Sequence, residues 1–288
     1  MSGPVPQKLT DKYWLAAHDS LRGKPRTNER VLGIGLAAGL LGELVHDRCV
    51  KVRDGRLLRV SGKRSDDPAL YPLLSKMVEE ERRSVPPVSS VPRQPVKQFG
   101  DGGPAIPTGG GADWPTQEFT VASGLPRRRG DQGWLDGQGT GGRHAQPPPE
   151  PPMPAGHDLR LWMSYLACDR RADLLVIERL TRAGFAKPLE RWWRPGSTVR
   201  YVPYDSAFAG APASAIREAV KKGDRLAPSD LLLAGLMFAT GLHQHALASL
   251  TPSDRRTLSE ELSSRLDSSS RQLLKAADAA VGEAALVH

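Results

Sequence analysis

The chain has 288 residues and carries 40 basic against 32 acidic side chains, a net charge of +8. Hydrophobic content of 39% with only two cysteines excludes a disulfide framework, and no run of about 18 apolar residues exists to span a bilayer. A net positive charge points to an anionic partner, and its excess lies outside the middle third of the chain, around Arg22, Lys24, Arg26, Arg30, Lys51, Arg53, Arg56, Arg59, Lys63 and Arg64.

In chain order, the opening MSGPVPQKLTDKYW lacks the apolar core of a signal peptide, so a cytoplasmic protein with peripheral membrane contact is expected. Thr10 to Ser20 reads as a helix with Tyr13, Trp14 and Ala17 on one face. Val31 to Val60 is the most informative stretch. Leu32, Leu36, Leu40 and Leu44 recur at helical spacing, while Gly33, Gly35, Gly39 and Gly42 weaken helix propensity. Tertiary packing must therefore hold this helix, and small residues on it suit neighbours that approach closely. Cys49, Val50, Val52, Leu57, Leu58 and Val60 then flank Asp54-Gly55, a strong hairpin signal. Pro68 to Arg83 reads as a helix with a charged C-terminal half.

Residues 85–155 hold more than half of the 25 prolines and nearly half of the 29 glycines, which excludes helix and sheet interiors there. This stretch is expected to be a disordered insertion, in which Trp114, Phe119 and Trp134 are sporadic aromatics rather than docking motifs. Order resumes at Gly156. Asp158 to Ala183 is a long amphipathic helical pattern whose rows include Leu159, Trp162, Leu166, Ala172, Leu175 and Arg179. LERWWRPGSTVRYVPY reads as two short strands around Arg194 to Ser197. Pro212 to Lys222 is a short basic helix closed by Gly223, Pro228 to Leu250 a buried helix, and Pro252 to Leu286 one or two polar amphipathic helices. No repeat period occurs. Both structured parts carry faces that need covering, so residues 8–84 and 156–288 are expected to form one domain interrupted by the insertion. The expected fold is mainly α: a compact helical bundle around the buried glycine-rich helix, decorated by two β-hairpins.

Catalytic signatures are lacking: there is no P-loop, GxSxG, HExxH or paired CxxC, and no enzyme is expected. The glycines of Gly33-Ile34-Gly35 fall within a helical pattern, not between a strand and a helix, which argues against a dinucleotide fingerprint. His243 and His245 are two apart, on different helix faces, and read as structural histidines; no metal or cofactor is expected. Cys49 and Cys168 read as buried thiols, and Asp66-Asp67 and Glu79-Glu80-Glu81 as solvated charge runs.

GIGLAAGLLGELVHDRCVKVRDGRLLRV resembles the signature helix and hairpin of the Golgi phosphoprotein 3 family, commonly GL-x-x-x-x-L-x-EL followed by a basic strand. DRRADLLVIERLTRAGFA resembles that family's arginine-rich helix, RWWRPGSTVRYVPYD its second hairpin, and DRLAPSDLLLAGLMFATGL its buried late helix. The resemblance is to a bacterial-type member. It implies a compact helical fold and a non-enzymatic peripheral adaptor. Eukaryotic members bind phosphatidylinositol 4-phosphate and retain glycosyltransferases in the Golgi. Carried over by position, the family's tryptophan before the signature helix is Asn28 here, and the arginine after its Gly-Leu step is Ala37. Its two later arginines three apart are Arg170 and Asp173. Arg170, with Arg171, Arg26 and Arg30 close in sequence, are the expected contacts to an anionic, phosphoinositide-like headgroup. Arg191, Trp192, Trp193 and Arg194 on the second hairpin are the expected membrane or self-association surface, so a protein partner or a homo-oligomer is also compatible. The alternative is a winged-helix-like nucleic-acid-binding regulator using Ile216 to Lys222, but nucleic acid is not the expected partner.

Overall fold

Helix α2 (Glu29–His46) is buried almost without interruption from Leu32 to Leu44, so it must be enclosed on several sides. Five helices enclose it: α1 (Leu9–Ala17), α4 (Leu159–Ala167), α5 (Arg171–Arg182), α7 (Pro228–Ala239) and α10 (Ser268–Leu286). The structure is a computed structural model, describing residues 8–84, 156–189 and 199–286, which lie within one contact unit. The glycines explain how α1 comes so near. A Cβ on Gly35 would lie 2.1 Å from the Tyr13 hydroxyl oxygen, and one on Gly39 2.4 Å from Thr10 Cγ2. Tyr13 and Trp14 on α1 are fully buried against this face.

Asn28 caps α2 by accepting from the Arg30 N–H at 2.8 Å. At its far end Arg48 adopts a left-handed conformation (φ 57°), and the Cys49 N–H closes onto the Leu44 carbonyl at 2.9 Å. The chain then enters β1 (Val50–Arg53) and turns through Asp54 and Gly55, both at positive φ, into antiparallel β2 (Arg56–Arg59). A third strand, β3 (His157–Asp158), pairs with β2, so the expected hairpin is a three-stranded sheet in the order β1-β2-β3. α3 (Tyr71–Ser84) follows a 3₁₀ turn at Pro68–Leu70.

The single helix expected over Asp158 to Ala183 is broken. α4 stops at Ala167, Asp169 (φ 53°) and Arg170 (φ 57°) are left-handed, and α5 starts at Arg171. Both halves present apolar stripes to the same core, including Trp162 and Leu166 before the break and Val176 and Leu180 after it. Periodicity reports which face is buried, and the stripe continues although the helix does not.

β4 (Ala186–Pro188) and β5 (Tyr201–Pro203) pair antiparallel; the stretch between them that holds Arg191, Trp192, Trp193 and Arg194 lies outside the described residues. α6 (Ser206–Lys222) begins earlier than expected because Asp205 caps it, accepting from the Ala207 N–H at 2.9 Å. The helix expected over Pro228 to Leu250 is interrupted at Gly241 (φ 70°), which separates α7 from the short α8 (His243–Ala246). α9 (Pro252–Arg265) starts with a reciprocal Thr251–Asp254 capping box and leads into α10. The fold is mainly α with two small sheets. The insertion expected at 85–155 lies outside the described residues.

Three sequence expectations about polar residues are corrected. Cys168 is exposed, because the chain leaves the helix at that residue, whereas Cys49 is buried. Asp67 is buried. Glu80 and Glu81 hold elements together: the Trp162 indole donates to Glu80 at 3.2 Å, His157 Nδ1 lies 3.1 Å from the same carboxylate, and Arg59 Nη2 donates to Glu81 at 2.8 Å. These carboxylates are acceptors between α3, β2, β3 and α4, not a solvated run.

Candidate functional site: a basic-rimmed pocket at the head of the central helix

The break between α4 and α5 has a consequence for chemistry. Two successive non-glycine residues in the left-handed region cost about 1–2 kcal/mol each, and the second is Arg170. Its guanidinium is presented beside Asp173, which accepts from Arg170 Nε at 2.9 Å and also from Nη2. The other oxygen of the buried Asp173 accepts from the Trp14 indole at 3.0 Å. His18 stacks on Trp14 with ring centroids 3.9 Å apart. Its Nδ1 lies 2.8 Å from the Trp14 carbonyl, which can only accept, so Nδ1 carries the proton. Burial holds the His18 pKa below its usual value, which keeps the ring neutral near pH 7.

The loop from His18 to Pro25 is cross-linked by its own hydrogen bonds. Its ends form a β-bridge, and the Asp19 carboxylate accepts the N–H groups of Arg22 (2.8 Å) and Leu21 (2.9 Å). Those two bonds hold the Asp19 pKa below its ordinary value. Gly23 (φ 61°) lets the loop press on β5, since a Cβ there would sit 2.6 Å from the Tyr201 carbonyl oxygen.

Between this loop, the start of α2, the α4–α5 junction and β5 lies a pocket of about 310 Å³. Its base holds Trp14 and His18, and its charged lining comprises Lys24, Arg170 and Arg200 against Glu29 and Asp173, an excess of one positive charge. Such a concave, partly apolar site with convergent cations suits a small anionic group.

Of the four arginines singled out from the sequence, Arg170 lines this pocket. Arg26 lines a separate cavity of about 200 Å³ together with Arg217 and His245. Arg30 stands exposed in the first turn of α2, outside the pocket lining. Arg171 turns elsewhere: it lies over the Tyr165 ring at 4.3 Å, donates to the Tyr165 carbonyl at 3.1 Å and pairs with Asp169 at 3.0 Å. Lys24, named in the sequence only within the general basic excess, and Arg200, which was not named, complete the rim. Lys24 sits in a loop and Arg200 at a strand edge, where no periodicity marks a residue.

A second charged assembly lies inside the fold. Arg179 of α5 donates from Nε to Asp11 (2.8 Å), from Nη1 to Glu43 (2.8 Å) and Asp67, and from Nη2 to Thr10 and Glu43. The Thr10 N–H and hydroxyl also donate to Glu43. One cation thus joins α1, α2, α5 and the turn before α3. Burial pushes the Asp11 pKa up to about 6, with the neighbouring Glu43 and Asp67 adding to the rise and Arg179 opposing it. Arg179 marked a helical row in the sequence, and an arginine on an apolar stripe was the available signal for a buried ion cluster. Among the described residues no cluster of three or more His, Cys, Asp or Glu side chains is arranged to hold a metal. No helix among them is long and apolar enough to cross a membrane.

Fold and pocket together define a helical bundle built on a glycine-rich central helix, with a small basic-rimmed pocket at that helix's head. Residues 9–90 match the family model for Golgi phosphoprotein 3 (GPP34), a stretch spanning α1, α2, the hairpin and α3. The resemblance read from Gly33 to Val60 is thereby borne out, and this part of the chain carries the Golgi phosphoprotein 3 signature. No curated protein matches the chain.

Proposed function

We propose that this protein is a non-enzymatic peripheral adaptor that docks on anionic phospholipid headgroups through the pocket rimmed by Lys24, Arg170 and Arg200. The observation that carries the reading is Arg170, held in a strained left-handed conformation at the pocket mouth and matching the position of a family headgroup arginine. Asp173 stands where the resemblance implies a second arginine. It occupies the Nε–Nη2 edge of Arg170 and leaves Nη1 for a ligand. A headgroup phosphate therefore meets Nη1 of Arg170 together with the side chains of Lys24 and Arg200. With the family's contacts replaced at Asn28, Ala37 and Asp173, the pocket selects for negative charge more than for one phosphoinositide.

The alternative, a winged-helix-like nucleic-acid reader, has weaker support. In its candidate helix segment, Ile216 is buried and Arg217 is spent inside the fold, donating to the Ala246 carbonyl at 2.9 Å and to Ser214 at 2.7 Å.

Vesicle flotation tests the proposal, using phosphatidylcholine alone and with phosphatidylinositol 4-phosphate or phosphatidylserine, beside a DNA mobility shift at matched salt. Binding to anionic vesicles that is lost on Arg170→Glu, but kept on charge reversal at Arg127, is the expected result. No binding to any anionic vesicle at low salt overturns it.

A further inference from the structure

At the opposite end of α2 lies a larger cleft of about 930 Å³. Its floor is apolar, formed by Leu9, Val45, Val60, Leu232 and Leu266. Around it stand Lys8, Arg48, Lys51 and Lys63, supplied by four separate segments: the entry to α1, the end of α2, β1 and the turn after β2. Among the described residues no acidic side chain lies within ion-pair distance of any of these four. Of the acids in the lining one is ion-paired, and the other two keep their charge against the four cations, which leaves the cleft positive. Glu43 belongs to Arg179, Asp47 accepts from the Ser65 hydroxyl at 2.7 Å, and Asp267 accepts from the Ser270 N–H at 3.0 Å. Arg48 holds the left-handed position that closes α2, a place where glycine is the usual residue. β1 is the edge strand of its sheet, and its Val50 lines the cleft. α10 packs along β1, and its Ser269 donates to the Val52 carbonyl and accepts from the Val52 N–H, both at 3.1 Å.

We propose that this cleft binds an extended acidic peptide segment of a partner protein, with acidic side chains on Lys8, Arg48, Lys51 and Lys63 and alternate apolar side chains on the floor. An extended strand alternates its side chains between two faces, which matches a charged rim over an apolar floor.

The test uses the full-length chain and a fluorescein-labelled heptapeptide alternating glutamate and leucine, followed by fluorescence anisotropy at low salt. Saturable binding is expected, weakened at least about tenfold by the exposed double substitution K51E/K63E and unchanged by R256E on α9. The lysine version of the peptide should not bind. R48G should weaken binding while raising the thermal midpoint, because glycine relaxes the backbone there. The double variant should still float with anionic vesicles, which separates this cleft from the headgroup pocket. Absence of saturable binding, or equal loss with K51E/K63E and R256E, overturns the proposal. So does a K51E/K63E variant that loses vesicles but keeps the peptide.

Discussion

Arg179 and Glu43 meet at 2.8 Å across 136 positions of sequence, one on α5 and the other in the Glu-Leu motif of the glycine-rich helix. The pair joins the part of the chain before residues 85–155 to the part after them. Asp11 and Asp67 share the same guanidinium, so three buried carboxylates depend on one cation. Replacing Arg179 with Met leaves them without a counter-ion, which should cost about 3–5 kcal/mol. Urea denaturation followed by circular dichroism measures the loss. Arg179→Lys should recover part of it, because the charge returns without the planar fork.

Stability should fall as pH rises through this cluster. The Asp11 carboxyl is pushed up to about 6 in the folded chain, against 3.8 for an ordinary aspartate, so between those values the folded state holds a proton that the unfolded state has lost. The contribution is full below about pH 4 and is gone above about 6.5, amounting to about 3 kcal/mol by linkage. Asp11→Asn should remove that slope, so the urea midpoint of the wild type should fall relative to that of the variant from pH 4 to 7. A constant difference would show that Asp11 ionises normally.

Gly35→Ala puts a methyl group 2.1 Å from the Tyr13 oxygen on a fully buried ring. Overpacking of this kind costs about 1–3 kcal/mol, despite the better helix propensity of alanine. The same change at Gly210, with nothing within 4 Å of its Cβ, should be neutral or stabilising. Thermal melts of the two variants compare them directly.

Asp173→Asn should strengthen docking on anionic vesicles. Its amide oxygen can still accept from Trp14, while Arg170 is released from a neutralising carboxylate. One effective positive charge near an anionic surface is worth about 1 kcal/mol, or about fivefold in affinity. Vesicle titrations at low salt read this, and an unchanged affinity would place Arg170 outside the binding surface.

Replacing residues 85–155 with a short Gly/Ser linker should preserve the fold. His157 lies within 3.6 Å of Glu81 and pairs through β3 with β2, so α3 and the returning chain are already held together. Shortening the loop about eightfold reduces its closure entropy cost by about 2 kcal/mol. A thermal midpoint equal to or above that of the intact chain is expected, and unfolding would show that the stretch is part of the core.

The main elements were legible from neighbouring residues. Leucine spacing with glycines set the central helix, Asp54-Gly55 set the hairpin turn, and the motifs around them carried the family resemblance. Local chemistry suffices there, because helix and turn signals are written in neighbouring residues. Packing of the folded chain decided that the stripe from Asp158 to Ala183 bends at Asp169 and Arg170. It also decided that Asp67, Glu80 and Glu81 face inward, and that Lys24 and Arg200 join Arg170 while Arg171 turns away. Periodicity records which face is buried, but not whether a helix is continuous or which distant charge awaits a carboxylate. Asp67 meets Arg179 from 112 positions away and Glu80 meets His157 from 77, and no local pattern encodes such partners.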